Sequence, residues 1–219
     1  LIAISRQTKQ DIIDIYSVPP SKIQVIYLAS SLDGIEEASS QFMPEGLPSR
    51  FLLYVGNRGG YKNFIACLNA VANTLLQPDG LHLVCAGGGQ FSRVEQKEIG
   101  RLGIVGKVIQ QSCDERFLIK LYRHAIALIY PSLYEGFGLP VIEAMGLGCP
   151  VITSQDSAMS EIAGGAAALF DPTDMDSMKS RIEETLENEN LLSELSARGL
   201  NRSREFSWRS TGEETQRLY

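Results

Sequence analysis

The sequence predicts an α/β fold, a Rossmann-like, doubly wound parallel sheet of about six strands with helices on both faces. Three observations predict it. Short runs rich in β-branched and aromatic residues recur along the chain, amphipathic stretches of helical period lie between them, and strand ends run into glycine-bearing turns. Strands that alternate with helices are joined by right-handed crossovers. The sheet is then parallel, and ligands bind beyond the carboxyl ends of its strands.

The elements follow in chain order. Residues 1–4 resemble the end of a buried strand and the first residue is not Met, so the chain is expected to begin inside a fold and to be a fragment. Ser5 is placed as N-cap of a helix over 5–16 that Pro19-Pro20 stops, because a serine hydroxyl accepts from a first-turn amide that has no helical partner. Strands are expected at 23–28, 51–55, 81–86, 107–110, 125–130 and 151–154, and helices at 62–76, 91–102, 114–124 and 139–147. Between 29 and 50, Ser, Gly, Pro and acidic residues mark a linker. Three helices then follow without an intervening strand, at 174–187, 190–206 and 208–219. The expected division is 1–33 as the end of a preceding domain with its linker, 34–205 as the main domain, and 206–219 as a terminal helix opened by Trp208.

Composition narrows the functions. With 219 residues, 44% hydrophobic and 21% charged, the chain can bury one good core plus an appendage. A formal net charge of -6 and a pI near 5.1 disfavour nucleic acid or an anionic membrane as a general partner, so any phosphate site must be local. Cys67, Cys85, Cys113 and Cys149 are widely spaced and fit core thiols in a reducing compartment. His82, inside a strand, and His124, at a helix C-terminus, are the two histidines, and no metal-binding spacing is present; no protein-held metal is expected. No apolar run approaches the roughly 20 residues of a spanning helix and no signal peptide opens the chain, so a cytoplasmic location is expected.

The strongest motif is Tyr134-Glu135-Gly136-Phe137-Gly138-Leu139-Pro140-Val141-Ile142-Glu143-Ala144-Met145. It sets two carboxylates across a strand-loop-helix junction. Pro140 suits a first helical turn, where its missing N–H costs nothing, and the amides at Phe137, Gly138 and Leu139 then make an anion site at the positive end of the helix dipole. The bland alternative is a solvated loop that caps a helix. A second constellation, Gly56-Asn57-Arg58-Gly59-Gly60-Tyr61-Lys62-Asn63, carries two cations in a glycine-rich turn between a strand and a helix. A departing diphosphate needs such charge, supplied by the planar fork of Arg and the compact ammonium of Lys. Gly87-Gly88-Gly89 does not complete a dinucleotide fingerprint, since Ser92 stands where the third glycine belongs.

Glu135 to Met145 resembles, over the whole string, the E-G-F-G-L-P-x-x-E-A-M signature of the family-four (group 1) retaining glycosyltransferases of GT-B fold. The glycine-rich turn is similar to the family's G-x-R-x-x-x-K loop. The resemblance implies that the chain is the C-terminal, donor-binding half of a GT-B fold, with the terminal helix crossing back onto the acceptor domain. It implies catalytic roles for Glu135 beside the transferred sugar and for Arg58 and Lys62 at the diphosphate. It implies donor contacts from Gly56, Asn57, Cys113, Phe137, Gly138 and Leu139, and ribose binding by Glu143. Gln111 and Cys113 depart from the glycine and aliphatic residue common in the base-contacting turn, which leaves the base open. Thr153, Ser154 and Glu161 also match family positions near the donor, although such residues are frequent everywhere.

The implied function is transfer of a hexose from a nucleoside diphosphate sugar of the GDP-mannose or UDP-glucose type to a hydroxyl of a sugar or lipid-linked acceptor. No cofactor is required, and any peripheral membrane association would come from the missing N-terminal domain. Alternatives are a sugar-nucleotide epimerase, a phosphorylase with lysine-bound pyridoxal phosphate, or a non-catalytic nucleotide-binding module.

Overall fold

The computed structural model describes residues 1–32 and 46–219. The expected boundary between 33 and 34 and the acidic part of the linker lie outside the described residues. The chain opens with two short parallel strands, β1 (Ile2–Ala3) and β2 (Gln24–Val25), which among the described residues pair only with each other. Between them runs α1 (Arg6–Tyr16), whose N-cap Ser5 accepts from the Thr8 amide at 3.0 Å. The run predicted as a strand at 23–28 therefore contributes two residues, and to a different sheet. Its pattern misled because Ile23 and Ile26 are indeed buried, although the run lies outside the main sheet.

The main sheet contains β3 (Phe51–Val55), β4 (His82–Ala86), β5 (Val108–Gln111), β6 (Ala127–Tyr130), β7 (Val151–Ser154) and β8 (Ala168–Phe170). All neighbours are parallel, in the order β5-β4-β3-β6-β7-β8. The sixth strand is β8, which the sequence did not reveal because three residues are too few to show a period.

The crossovers are α2 (Phe64–Leu75), α3 (Arg93–Arg101), α4 (Glu115–His124), α5 (Leu139–Gly146) and α6 (Met159–Ala163), followed after β8 by α7 (Met175–Leu186), α8 (Glu189–Ser203) and α9 (Trp208–Gln216). Alternation along β3 shows how both faces are covered. Phe51, Leu53 and Val55 join a core with Tyr122, Ile142 and Met159 of α4, α5 and α6, whereas Leu52 and Tyr54 join a second core with Leu68, Ile99 and Met178 of α2, α3 and α7. The fully buried strand FLLYV is apolar at every position for this reason. Helix α9 returns to the N-terminal segment: Trp208 Nε1 donates to the Ser30 carbonyl at 2.9 Å and the Thr211 hydroxyl to that of Tyr27 at 2.7 Å.

Candidate functional site

Strand order reverses between β3 and β6, so the loops leaving their carboxyl ends diverge to opposite faces and open a crevice. Both sequence motifs lie on these two loops. The turn after β3 is braced by Tyr54, whose hydroxyl donates to the Asn57 carbonyl at 2.9 Å and lies 3.3 Å from that of Lys62. It is tied to the loop after β6 by the Leu133 amide, which donates to the Tyr61 carbonyl at 2.8 Å.

This backbone link brings Lys62 and Glu135 together. Lys62 Nζ lies 2.5 Å from Glu135 Oε1, with both side chains mostly shielded, at 15% and 13% exposure. The Tyr130 hydroxyl completes the group, 3.0 Å from Lys62 Nζ and 2.8 Å from Glu135 Oε1. Burial first, then the Glu135 charge and hydrogen bond, push the phenol far above its ordinary range. The sequence reading missed Tyr130. The available signal was a hydroxyl-bearing aromatic at the last position of a strand, where side chains face the crevice.

The signature loop is held from several sides. The Glu135 amide donates to Ser157 Oγ at 3.0 Å, and the Thr8 hydroxyl of α1 donates to the Gly136 carbonyl at 3.1 Å. Tyr134 hydrogen-bonds Asp11, again on α1. Gly138 is required as glycine: it sits at φ +95°, and an added Cβ would come within 2.4 Å of Met159 Cε. The Phe137 ring is buried against Tyr27 and Phe206, with centroids 6.3 and 5.9 Å away. Only the main chain of Phe137 can therefore serve a ligand. Leu139 begins α5 with Pro140 beside it in the first turn, the geometry that leaves first-turn amides directed at an anion.

Glu143 lies one turn further along α5 and is 6% exposed. Tyr122 of α4 donates to its Oε2 at 3.0 Å and Ser31 to its Oε1 at 2.8 Å. Burial, then the Glu143 charge, drive the Tyr122 phenol well above its usual range.

Arg58 takes a different place from Lys62. Its guanidinium is buried: Nε donates to Glu95 Oε1 at 2.9 Å, Nη1 to the Gly87 carbonyl at 2.8 Å, and Nη2 to those of Gly89 at 2.8 Å and Gln90 at 3.0 Å. The guanidinium carbon stacks 4.8 Å from the Phe91 ring centroid. Arg58 thus clamps the triple-glycine turn after β4, and the turn needs glycine at 88 because a Cβ there would meet Arg58 Nη1 at 2.6 Å. Glu95 in turn accepts from the Ser92 amide at 2.6 Å, so the serine that breaks the dinucleotide fingerprint is the N-cap of α3 in a capping box.

The remaining candidates are spread along the same sheet edge. Gly56, at φ +114°, continues the ladder by donating to Ala86 at 2.9 Å and lies beside Gly88. Asn57 is exposed apart from its braced carbonyl. Cys113 follows β5 at the far edge of the sheet, half-buried, its thiol pushed up by burial and then by Asp114. It is not brought next to Lys62 and Glu135. Thr153 Oγ1 donates to the Tyr130 carbonyl at 2.9 Å, beneath the site.

Glu161 proves to hold α1. Its carboxylate accepts from the Arg6 amide at 2.9 and 3.0 Å and from the Tyr27 hydroxyl at 2.7 Å, at the positive end of that helix. Because hydrogen bonds to a charged acceptor contribute about 1.5–3 kcal/mol, Glu161→Gln is expected to lower the thermal midpoint by roughly 3–12 °C for a chain of this size. Scanning calorimetry checks this. An unchanged midpoint would show that α1 docks without the carboxylate.

Comparison with known proteins shows the family. The family described as Glycosyl transferases group 1 matches residues 36–202. The chain is 27% identical to O-antigen chain mannosyltransferase B of Escherichia coli over 232 residues, covering all of this chain and 60% of that protein. It is 29% identical to the MMP alpha-(1->4)-mannosyltransferase of Mycolicibacterium hassiacum over 225 residues, covering all of this chain and 53% of that protein. Among solved structures, Anabaena Alr3699/HepE in complex with UDP and glucose superposes with a TM-score of 0.83 at 16% identity, over 99% of this chain and 61% of that one. The chain thus spans between half and two thirds of the length of these proteins, and its fold is that of a GT-B glycosyltransferase. A match over most of the chain that includes both site loops leads to one conclusion: this chain belongs to the group 1 glycosyl transferases.

Proposed function

We propose that this chain is the donor-binding part of a retaining glycosyltransferase that moves a hexose from a nucleoside diphosphate sugar to an acceptor hydroxyl in polysaccharide or glycolipid assembly. The observation that carries the reading is the Lys62–Glu135 pair at the point where strand order reverses, with the start of α5 in the same loop. The mannosyltransferase relatives favour a mannose donor, which this reading takes as GDP-mannose, and the UDP and glucose in the HepE complex keep a UDP-glucose type donor as the second candidate.

Each group has a task in such a transfer. Cleavage of the anomeric C–O bond leaves negative charge on the diphosphate and positive charge on the sugar ring. The Lys62 ammonium and the first-turn amides of α5 compensate the diphosphate, and Glu135 faces the sugar. Glu143 offers its carboxylate to the ribose from one turn further along. Arg58 contributes through the triple-glycine turn, whose backbone lines the nucleotide side of the crevice. The acceptor is a sugar or lipid-linked sugar held against the signature loop by residues outside this chain.

Among the described residues, no group of three or more His, Cys, Asp or Glu is placed to hold a metal, and no helix is long and apolar enough to cross a membrane. Nucleoside diphosphate is expected to bind this chain with a chelator present, because the Lys62 ammonium and the first-turn amides of α5 supply the compensating charge, as calorimetry with UDP and GDP would measure. Transfer is expected only from a longer protein that includes it, since orienting the second substrate is worth about 7–11 kcal/mol of barrier. Strict dependence of binding on magnesium or manganese, or equal transfer by the 219-residue chain and an N-terminally extended one, would overturn the corresponding part of the reading.

A further inference from the structure

The proposed reaction uses Lys62 and Glu135, and the structure holds a third group against both. Tyr130 ends β6 with 2% of its surface exposed, so the ring is fixed in the core and only the phenol oxygen reaches the site. A phenol has one proton to give and lone pairs to accept. Here the proton goes to Glu135 Oε1 at 2.8 Å, and a lone pair faces Lys62 Nζ at 3.0 Å. The ammonium also lies 5.1 Å from the Tyr130 ring centroid, within cation–π range. Because the phenol is driven far upward by burial and by Glu135, it stays protonated and keeps this polarity.

This arrangement answers a problem set by the Lys62–Glu135 pair. When a diphosphate arrives, the ammonium must exchange Glu135 for phosphate oxygens while Glu135 is freed for the sugar. A lysine released from its only partner would sample many rotamers, and ordering it again would weaken binding. One held by a neutral acceptor on a rigid strand keeps its aim and has two further N–H groups to offer.

We propose that Tyr130 is a positioning residue that holds the Lys62 ammonium aimed into the crevice while its anionic partner changes from Glu135 to the donor diphosphate. The proposal rests on the reading of the donor as a nucleoside diphosphate sugar. Tyr130→Phe keeps the ring, its packing and its cation–π face, and removes only the oxygen. In the full-length protein, calorimetry would compare UDP and GDP with the corresponding monophosphates, which lack the phosphate farthest from the nucleoside.

The expected result is a loss of diphosphate affinity of about five- to tenfold, with monophosphate affinity changed by less than about twofold. In a Lys62→Met background, Tyr130→Phe is expected to cost nothing further, because the group it positions is gone. Unchanged diphosphate affinity, an equal loss for both nucleotide classes, or a full additional loss in the Lys62→Met background would each overturn the proposal. If the parent binds mono- and diphosphates equally well, Lys62 does not meet the diphosphate and the proposal falls while nucleotide binding stands. If the parent binds no nucleotide, the donor reading itself falls.

Discussion

Glu135→Gln in the full-length protein is expected to lower transfer by about 10²- to 10³-fold, the scale of losing one preorganised electrostatic group at a reacting centre, while nucleoside diphosphate binding stays equal or becomes tighter. The direction of the second effect comes from the structure. Glu135 neutralises Lys62 at 2.5 Å before donor arrives, so it competes with phosphate for the ammonium, and the amide of Gln competes less. Glu143→Gln should do the opposite, weakening nucleotide binding with transfer falling in proportion at low donor concentration. Gln is the informative replacement there. Alanine would leave the buried Tyr122 hydroxyl without its acceptor and mix a folding defect into the measurement. Paired calorimetry and initial rates decide the assignment. Parent-like binding and turnover in both variants would reduce the two carboxylates to a loop and a cap.

Arg58→Met is expected to cost about 3–5 kcal/mol of stability, because removing one partner of a buried pair strands the other charge. That corresponds to a fall of roughly 6–20 °C in thermal midpoint at this size. The stranded charge is Glu95, whose side chain is 10% exposed against 3% for Arg58. Arg58→Lys should recover little of the loss, since an ammonium cannot reproduce the fork that reaches Glu95 and the carbonyls of the triple-glycine turn together. Arg58→Met combined with Glu95→Leu should be more stable than Arg58→Met alone, as no unpaired charge then remains in the core. Thermal denaturation of the three variants tests the clamp. A parent-like midpoint for Arg58→Met with a collapse of nucleotide affinity would move Arg58 from the turn to the diphosphate.

Lys62 and Arg58 show where sequence reasoning stopped. In the sequence they are two cations four residues apart in one glycine loop, and a diphosphate could use both. In the fold, the guanidinium turns into a ring of main-chain carbonyls from a turn 29 to 32 residues away, while the ammonium meets a carboxylate 73 residues away. Nothing local separates the two. Tyr130 was passed over for a similar reason, since as the last residue of an apolar strand it looked like core, and its ring is core. The sheet shows the same limit. Residues 23–28 carry a strand pattern and 168–170 scarcely do, yet β8 joins the main sheet and β2 pairs with β1 outside it.

The sequence by itself determined the α/β class, the alternation of strands and helices, the N-cap at Ser5, and the loop on which the two glutamates stand. These follow from short-range physics: periodicity that matches one covered face or two, a serine hydroxyl that satisfies a first-turn amide, and glycine where the backbone needs positive φ. Only the tertiary structure decided which polar groups share a partner. The Lys62–Tyr130–Glu135 group, the Arg58 clamp, the pairing of Glu143 with Tyr122 and Ser31, and the capture of α1 by Glu161 all join residues whose spacing along the chain carries no period. For the Lys62 group and the Arg58 clamp, that meeting is set by the order of strands in the main sheet. That order follows from how the helices cover its two faces, a property of the whole core rather than of any segment.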